Sequence, residues 1–133
     1  MAERFFDTNV LLYLLSADAA KADRVEETLA AGATISVQVL NEFASVALRK
    51  LGMQVAEVRD VLEPIVAVCL VVPLTFEIHQ LGLQLAERYK FSFYDAVIVA
   101  AAIDSGCTTL ITEDLQNGQV IADTLTIRNP FQD

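Results

Sequence analysis

Four acidic side chains stand beside apolar stretches of the sequence, where an unneutralised charge is costly. Asp7 and Asp114 each follow a short apolar segment. Glu42 lies in an amphipathic stretch, and Asp95 opens the most hydrophobic stretch of the chain. Carboxylate oxygens are the ligands that Mg²⁺ prefers, and ions held in this way activate water and polarise phosphoryl groups. These residue types therefore point to carboxylate-based metal chemistry, provided that the fold brings them together.

Two of these acids have more apolar neighbours in the sequence than a solvent-exposed charged side chain usually has. Glu42 lies three residues after Val39 and four before Val46, so the three side chains share one side of a helix. Asp95 precedes a run that is apolar on nearly every side, which predicts a mostly buried helix. Both carboxylates need a partner that offsets their charge.

Each acid also has a purely structural interpretation. Asp7 and Asp114 fit caps of the helix and the turn that follow them. Ser92 and Asp95 fit the capping pattern in which Ser or Thr precedes an acid by three residues. Glu42 fits a snorkelling side chain or an ion pair with a base two turns further along its helix. Taken one at a time, these interpretations account for Asp7 and Asp114 better than chemistry does.

Histidine and cysteine chemistry have little support in this sequence. His79 is the only histidine, so a His-based zinc site or a Ser-His-Asp triad would rest on that one residue. Cys69 and Cys107 are far apart and show no Cys-x-x-Cys or Cys/His metal spacing. We expect two buried, reduced thiols and a solvated histidine.

The composition indicates one compact domain over residues 1–133. The chain is 54% apolar and 20% charged, which supports a buried core, and its length is typical of a single domain. The longest apolar runs, Ile65–Val72 and Ala96–Ile103, are far shorter than the ~18–20 residues of a membrane span. The N-terminus lacks the basic and apolar regions of a signal peptide. We expect a cytoplasmic protein that does not enter a membrane.

Strand-like and helix-like stretches alternate along the chain. Apolar, β-branched segments predict strands at Arg4–Phe6, Ala33–Ser36, Cys69–Val72, Cys107–Ile111 and Leu125–Ile127. Helical spacing predicts helices at Val10–Leu15, Asp18–Ala31, Val37–Leu51, Val55–Val68, Thr75–Tyr89 and Ser92–Asp104. Pro64 marks a kink or a boundary within the fourth helix. The alternation predicts an α/β fold with a parallel sheet and helices on both faces.

This topology brings the acids to one edge of the sheet. Ligands of open parallel sheets bind outside the carboxyl ends of the strands, and Asp7 and Asp114 both follow a predicted strand. Four carboxylates close together repel one another, whereas two Mg²⁺ cancel their formal charge of −4. The combined pattern favours a divalent metal site over four unrelated caps.

At four places the sequence resembles the PIN-domain family, and within it the VapC-like toxins of bacterial and archaeal toxin–antitoxin pairs. The resemblance covers nearly the whole chain, and the order and spacing of its motifs are specific. The motifs lie at Phe6–Leu11, Ser36–Phe43, Phe93–Ala96 and Leu110–Asp114. The resemblance implies a three-layer α/β/α sandwich around a central parallel sheet.

The resemblance also implies which residues act. The metal-binding and catalytic acids would be Asp7, Glu42, Asp95 and Asp114. Thr8 and Asn9 belong to the first motif, and Thr112 matches a polar residue that supports the last part of the site. The implied activity is endoribonuclease cleavage of RNA with Mg²⁺, for which Mn²⁺ can substitute.

The last motif departs from the commoner family pattern, in which an Asp is followed shortly by Phe. The run Thr112–Gly118 contains two adjacent acids, Glu113 and Asp114, so either could take the place that faces the metal. We expect Asp114 to take it.

The formal net charge of −9 bears on partners. Phosphate binding usually leaves a basic footprint. An acidic chain can still bind a phosphate backbone if its acids hold cations at one place and its few bases lie beside that place. The resemblance implies a small antitoxin and a homodimer. The charge predicts a basic antitoxin tail, whose arginine would pair with the acids when metal is absent. The apolar faces of the helices at Val55–Val68 and Thr75–Tyr89 are candidates for the dimer contact.

Three other functions remain open at this point. A non-catalytic module would use the acids for caps or a structural metal. A phosphoacceptor switch would want a lysine at a late strand end, but no lysine follows Lys90. A PIN-type nuclease acting on DNA or in RNA processing differs only in its substrate.

Overall fold

The computed structural model describes residues 3–132 of the chain, as six strands, six α-helices and a 3₁₀ turn at Leu12–Leu15. The strands are β1 (Arg4–Phe6), β2 (Ala33–Ser36), β3 (Cys69–Val72), β4 (Thr109–Ile111), β5 (Val120–Ile121) and β6 (Leu125–Arg128). The helices are α1 (Thr8–Leu11), α2 (Ala19–Ala30), α3 (Val37–Arg49), α4 (Val55–Val68), α5 (Phe76–Tyr89) and α6 (Phe93–Asp104).

The strands form one sheet in the order β3-β2-β1-β4-β6-β5. Neighbouring strands from β3 to β6 run parallel, which confirms the predicted parallel sheet. The edge strand β5 pairs with β6 in the antiparallel direction. It was not predicted, because two residues are too few to show a periodic pattern. The sheet is therefore mixed at one edge.

Both faces of the sheet centre are covered, as an α/β sandwich requires. Successive strand residues point to opposite faces, and Phe5 and Phe6 of β1 are both fully buried. All four residues of β2 are buried as well. Helix α6 is buried from Ala96 to Ala102, which makes it the most enclosed helix of the described chain. The sequence predicted this burial from the unbroken apolar run.

Two predicted helices differ in detail from the structure. Instead of one buried helix at Val10–Leu15, the chain forms the short α1, which starts at Thr8, and then the half-buried 3₁₀ turn. Asp7 explains the earlier start, because its side chain caps the helix. Helix α4 continues through Pro64, so this proline does not mark a boundary.

The other predicted features mostly match. Neither Cys69 nor Cys107 forms a disulfide within residues 3–132, and the first is half-buried and the second buried. His79 is exposed, and its ring also contacts those of Phe76 and Phe93. No helix within residues 3–132 has the length and apolar character needed to cross a membrane.

Candidate metal centre

Three of the four predicted acids meet at one edge of the sheet. Asp7, Asp95 and Asp114 each offer a carboxylate oxygen, and these oxygens all lie within 4.8 Å of one another. Asp7 follows β1, and Asp114 stands three residues beyond the end of β4. Because β1 and β4 are parallel neighbours, their carboxyl ends bring the two acids together. Asp95 enters from the first turn of α6.

Asp7 is the most enclosed of these acids, with only 4% of its surface exposed. Its Oδ1 accepts a hydrogen bond from the Thr8 backbone N–H at 2.6 Å, and its Oδ2 accepts one from the Thr112 hydroxyl at 2.8 Å. Burial raises the pKa of Asp7 to about 7, and repulsion from Asp95 and Asp114 adds to this, although the hydrogen bonds oppose it. The predicted cap of α1 is thus real, and it does not exclude a role in the acid cluster.

Thr112 and Asn9 tie the two strand ends together. Besides donating to Asp7, the Thr112 Oγ1 accepts from Asn9 Nδ2 at 3.0 Å and from the Asp114 backbone N–H at 3.2 Å. The Asn9 Oδ1 accepts from the Glu113 backbone N–H at 3.2 Å. These hydrogen bonds hold the segment after β4 against the start of α1. Asp114 is thereby oriented toward Asp7 although its own side chain is exposed.

Asp95 takes part in both the helix cap and the cluster. Its backbone N–H donates to Ser92 Oγ, the N-cap of α6, at 3.4 Å. Burial raises the pKa of the Asp95 carboxyl, and the charge of Asp114 adds to this, while a hydrogen bond from Ser92 opposes it. The capping pattern and the chemical interpretation of Asp95 are therefore compatible.

Glu42 borders the cluster without joining it. It lines the same depression, of about 270 Å³, as Asp7, Asp95 and Asp114. Its Oε1 accepts from the Thr8 hydroxyl at 3.3 Å, and its Oε2 accepts from Gln38 Nε2 at 2.9 Å. The partners of Glu42 are thus Thr8 and Gln38, rather than a base further along α3.

Two polar residues near this site were not predicted from the sequence: Ser45, which lines the depression, and Gln38, which donates to Glu42. Gln38 is 9% exposed and lies one helical turn before Glu42, a spacing that places both on one side of α3. That spacing of an amide four residues before an acid was the signal available in the sequence.

The two adjacent acids of the last motif point to different places. Asp114 belongs to the cluster, whereas Glu113 lines a second depression with Asn9, Leu12, Tyr13 and Ser16. Tyr13 lines the same depression, and its interaction with Glu113 raises the pKa of the Tyr13 hydroxyl. The geometry agrees with the expected choice of Asp114.

The donor set suits a hard divalent cation. All the convergent groups are carboxylate oxygens, and the depression also exposes the polar side chains of Thr8, Asn9 and Ser45. A depression of about 400 Å³ between α2 and α4 is larger, but its lining is mainly aliphatic, with Glu26 as the one charged residue. The acid-lined depression is the place where chemistry can occur.

Comparisons with known proteins place these features in context. The sequence model of the PIN domain matches residues 4–120. No curated protein sequence matches the chain significantly.

Several solved structures share the fold. A toxin–antitoxin complex from Klebsiella pneumoniae superposes with a TM-score of 0.72 at 20% identity, covering 98% of this chain and 99% of that one. Mycobacterium tuberculosis VapC20, a Sarcin-Ricin loop cleaving toxin, gives 0.68 at 21% identity, with 84% and 89% covered. VapBC2 from Rickettsia felis, bound to a DNA fragment from its promoter, gives 0.67 at 18% identity, with 95% and 97% covered.

Proposed function

This chain belongs to the PIN-domain family, and from that premise we propose that it is a Mg²⁺- or Mn²⁺-dependent endoribonuclease. The observation that carries the proposal is the meeting of Asp7, Asp95 and Asp114, whose oxygens lie within 4.8 Å of one another. Three carboxylates at this distance, one of them buried, destabilise the fold unless a cation or a proton offsets their charge. A divalent cation does so and also equips the site for hydrolysis.

The acids have distinct tasks in this proposal. Asp7, Asp95 and Asp114 hold the cations directly, and Glu42 reaches them through water from the rim of the same depression. Bound divalent cations supply a water of lowered pKa and stabilise charge on the phosphoryl and leaving oxygens. Thr112 and Asn9 fix the position of Asp7, so the ligands need little rearrangement. No histidine or lysine lines this depression, and a separate protein base is not required.

The exposed position of Asp114 gives the substrate access. Asp7 is buried, Asp95 and the rim residue Glu42 are half-buried, and Asp114 is exposed. The side of the depression at Asp114 is therefore open to a phosphodiester, and Asp7, Asp95 and Asp114 would hold the cation that polarises it. Cations bound by the acids would neutralise the carboxylates that the backbone of a single-stranded RNA meets there. RNA binding is thus compatible with a formal net charge of −9.

We propose further that the chain is the toxin of a toxin–antitoxin pair. Structures of similar fold include a toxin–antitoxin complex and VapBC2. The acidic surface favours a small antitoxin with a basic tail, whose arginine would pair with the acid cluster. A toxin arrests the growth of the cells that express it. Co-expression of this chain with the small reading frame beside its gene should relieve that arrest. A gene without such a neighbour would count against the toxin role while leaving the nuclease role intact.

We also propose a homodimer. Large apolar side chains are exposed on α4 (Val55, Val66, Val68) and on α5 (Phe76, Leu83). Light scattering coupled to size exclusion should give twice the 14.5 kDa mass of one chain. A monomer at micromolar concentration would contradict this proposal.

Cleavage of defined substrates tests the reaction, the cofactor and the substrate together. Purified protein is incubated with single-stranded RNA, structured RNA and DNA, in Mg²⁺, Mn²⁺ or EDTA. We expect RNA cleavage that requires metal and is lost in Asp7→Asn. Asp60→Asn is the matched control, because it makes the same change at an exposed position of α4.

The outcomes separate the alternatives. Cleavage of DNA alone would identify a DNA-directed nuclease, and metal binding without cleavage would identify a non-catalytic module. Wild-type activity in Asp7→Asn would refute the assignment of the acids.

A further inference from the structure

A second depression adjoins the metal centre. It measures about 300 Å³ and is lined by Asn9, Leu12, Tyr13, Ser16 and Glu113; we call it the Glu113 depression. Asn9 and Leu12 line the metal-centre depression as well, so the two are continuous. Its size lies at the lower end of the ~300–1,000 Å³ typical of small-molecule sites. A group bound there would lie close to the acid cluster.

Glu113 is held in place but keeps free acceptor capacity. Its backbone N–H donates to Asn9 Oδ1 at 3.2 Å, which fixes the residue beside the metal centre. Glu113 shares the depression with the Tyr13 hydroxyl, whose pKa it raises, and that hydroxyl can fill no more than one acceptor position of the carboxylate. A carboxylate has about four such positions, so Glu113 can accept further donors from a ligand.

Tyr13, which lines the depression with Glu113, belongs to an aromatic pair that a lysine ammonium contacts. Tyr13 is half-buried and meets Phe131 edge to face, with 4.9 Å between ring centroids. The Lys21 ammonium lies 5.0 Å from the Tyr13 centroid and 4.9 Å from that of Phe131. Aromatic faces contact unpaired bases, and a nearby cation offsets the charge of an approaching backbone. This surface suits a nucleotide better than it suits an apolar ligand.

We propose that the Glu113 depression binds an unpaired guanine of the RNA substrate, next to the cleaved phosphodiester bond. An ionised carboxylate only accepts hydrogen bonds. Guanine is the one common RNA base whose Watson–Crick edge presents two adjacent donors, N1–H and N2–H₂. Glu113 would accept both, while Tyr13 contacts the ring. The inference rests on the proposed cleavage of RNA and adds a base preference to it.

Binding of short RNAs tests the proposal without requiring cleavage. The hexaribonucleotides UUGUUU, UUIUUU and UUAUUU, where I is inosine, are titrated into ¹⁵N-labelled protein in Ca²⁺. We expect the guanine oligonucleotide to shift the amide signals of Tyr13, Ser16 and Glu113. It should bind about tenfold more tightly than the adenine oligonucleotide, because a bidentate hydrogen-bonded contact typically discriminates between bases by about this factor. Inosine lacks the N2 amino group and should fall between them.

The variant Glu113→Gln probes the carboxylate. Its amide replaces one acceptor by a donor of similar shape, so the guanine and adenine affinities should come within twofold of each other. Glu87→Gln on the exposed side of α5 is the matched control and should keep the preference.

Several results would overturn the proposal. These are equal affinities for guanine and adenine, a preference that persists in Glu113→Gln, or no binding of any hexamer. If acetyl-arginine amide shifts the same signals and the RNAs do not, the depression binds a basic protein segment instead. Cleavage without a base preference would refute this inference alone, and guanine binding without cleavage would refute the nuclease alone.

Discussion

Asp7 illustrates how one residue serves both the fold and the site. Its carboxylate caps α1 and accepts the Thr112 hydroxyl, and it also belongs to the acid cluster. Burial raises the pKa of Asp7 to about 7, so a proton and a divalent cation compete for it near neutral pH. Metal affinity should therefore increase as the pH rises through this range.

Without metal, Asp7 makes the stability of the protein depend on pH. The pKa of Asp7 is about 7 in the folded chain, above its ordinary value of 3.8. At a pH between these two values, Asp7 is therefore protonated in the folded state and ionised in the unfolded state. Stability therefore falls as pH rises from about 4 to about 7, by about 4 kcal/mol from this group.

The variant Asp7→Asn removes this titration. Urea unfolding in EDTA measures the free energy of unfolding of the variant and of wild type. The value for the variant minus the value for wild type should increase by a few kcal/mol from pH 5 to pH 8. For Asp60→Asn, at an exposed position, the free energy of unfolding should differ from that of wild type by the same amount at pH 5 and at pH 8. A difference for Asp7→Asn that does not change with pH would contradict the account.

Gln38 should act as a positioning residue for Glu42. Replacing Gln38 by methionine keeps the length of the side chain but removes the Nε2 donor, which lies 2.9 Å from Glu42 Oε2. Losing an outer partner of a direct ligand typically weakens metal binding about 10- to 100-fold, and because Glu42 acts through water we expect a loss at the lower end of this range. Calorimetry with Mn²⁺ should show this loss, and Gln80→Met at an exposed position of α5 should not. Unchanged affinity would show that Gln38 only packs against Glu42.

At the scale of elements, strand order determines which acids meet. β1 and β4 are parallel neighbours although about a hundred residues separate them, and α6 contributes Asp95 from the segment just before β4. The position of α6 depends in turn on its close contact with α5. A Cβ atom placed at Gly82 of α5 would lie 3.0 Å from Val97 Cγ2, so only glycine allows this approach without adjustment.

A valine at position 82 should therefore destabilise the protein. Overpacking typically costs about 1–3 kcal/mol, and the added methyl groups would press on Val97 in the buried helix. Chemical denaturation measures this loss. Gln84→Val on the exposed side of α5 tests helix propensity alone and should cost only a few tenths of a kcal/mol. Equal losses in the two variants would argue against the packing explanation.

For the whole molecule, charge and stability are linked through the metal centre. Two divalent cations would reduce the formal charge from −9 to about −5 by offsetting four carboxylates. The rest is a solvated acidic surface, which suits a basic protein partner better than it suits RNA.

Divalent cations should stabilise the folded chain, because the site exists only there. At a concentration one hundred times the dissociation constant, Mn²⁺ should add about 2.7 kcal/mol and raise the melting temperature by several degrees. Asp114→Asn should lose this stabilisation, and Asp104→Asn at the exposed end of α6 should retain it. A melting temperature that does not change when Mn²⁺ is added would show that the acids do not bind metal.

The sequence by itself determined the order of the elements and singled out four acids as candidates for the site. Apolar runs, caps and turn residues are local signals, so the predicted helices and five of the six strands lie close to their observed positions. Strand β5 escaped prediction because its pairing with β6 depends on a neighbouring strand rather than on its own two residues.

Only the tertiary structure decided how the acids are divided. It unites Asp7, Asp95 and Asp114, leaves Glu42 at the rim beside Gln38, and places Glu113 with Tyr13 in the adjoining depression. Adjacent residues of a chain point in different directions, and which direction leads into the site depends on packing between segments distant in sequence. The residue types define the chemistry that is available, and the long-range contacts determine where it can occur.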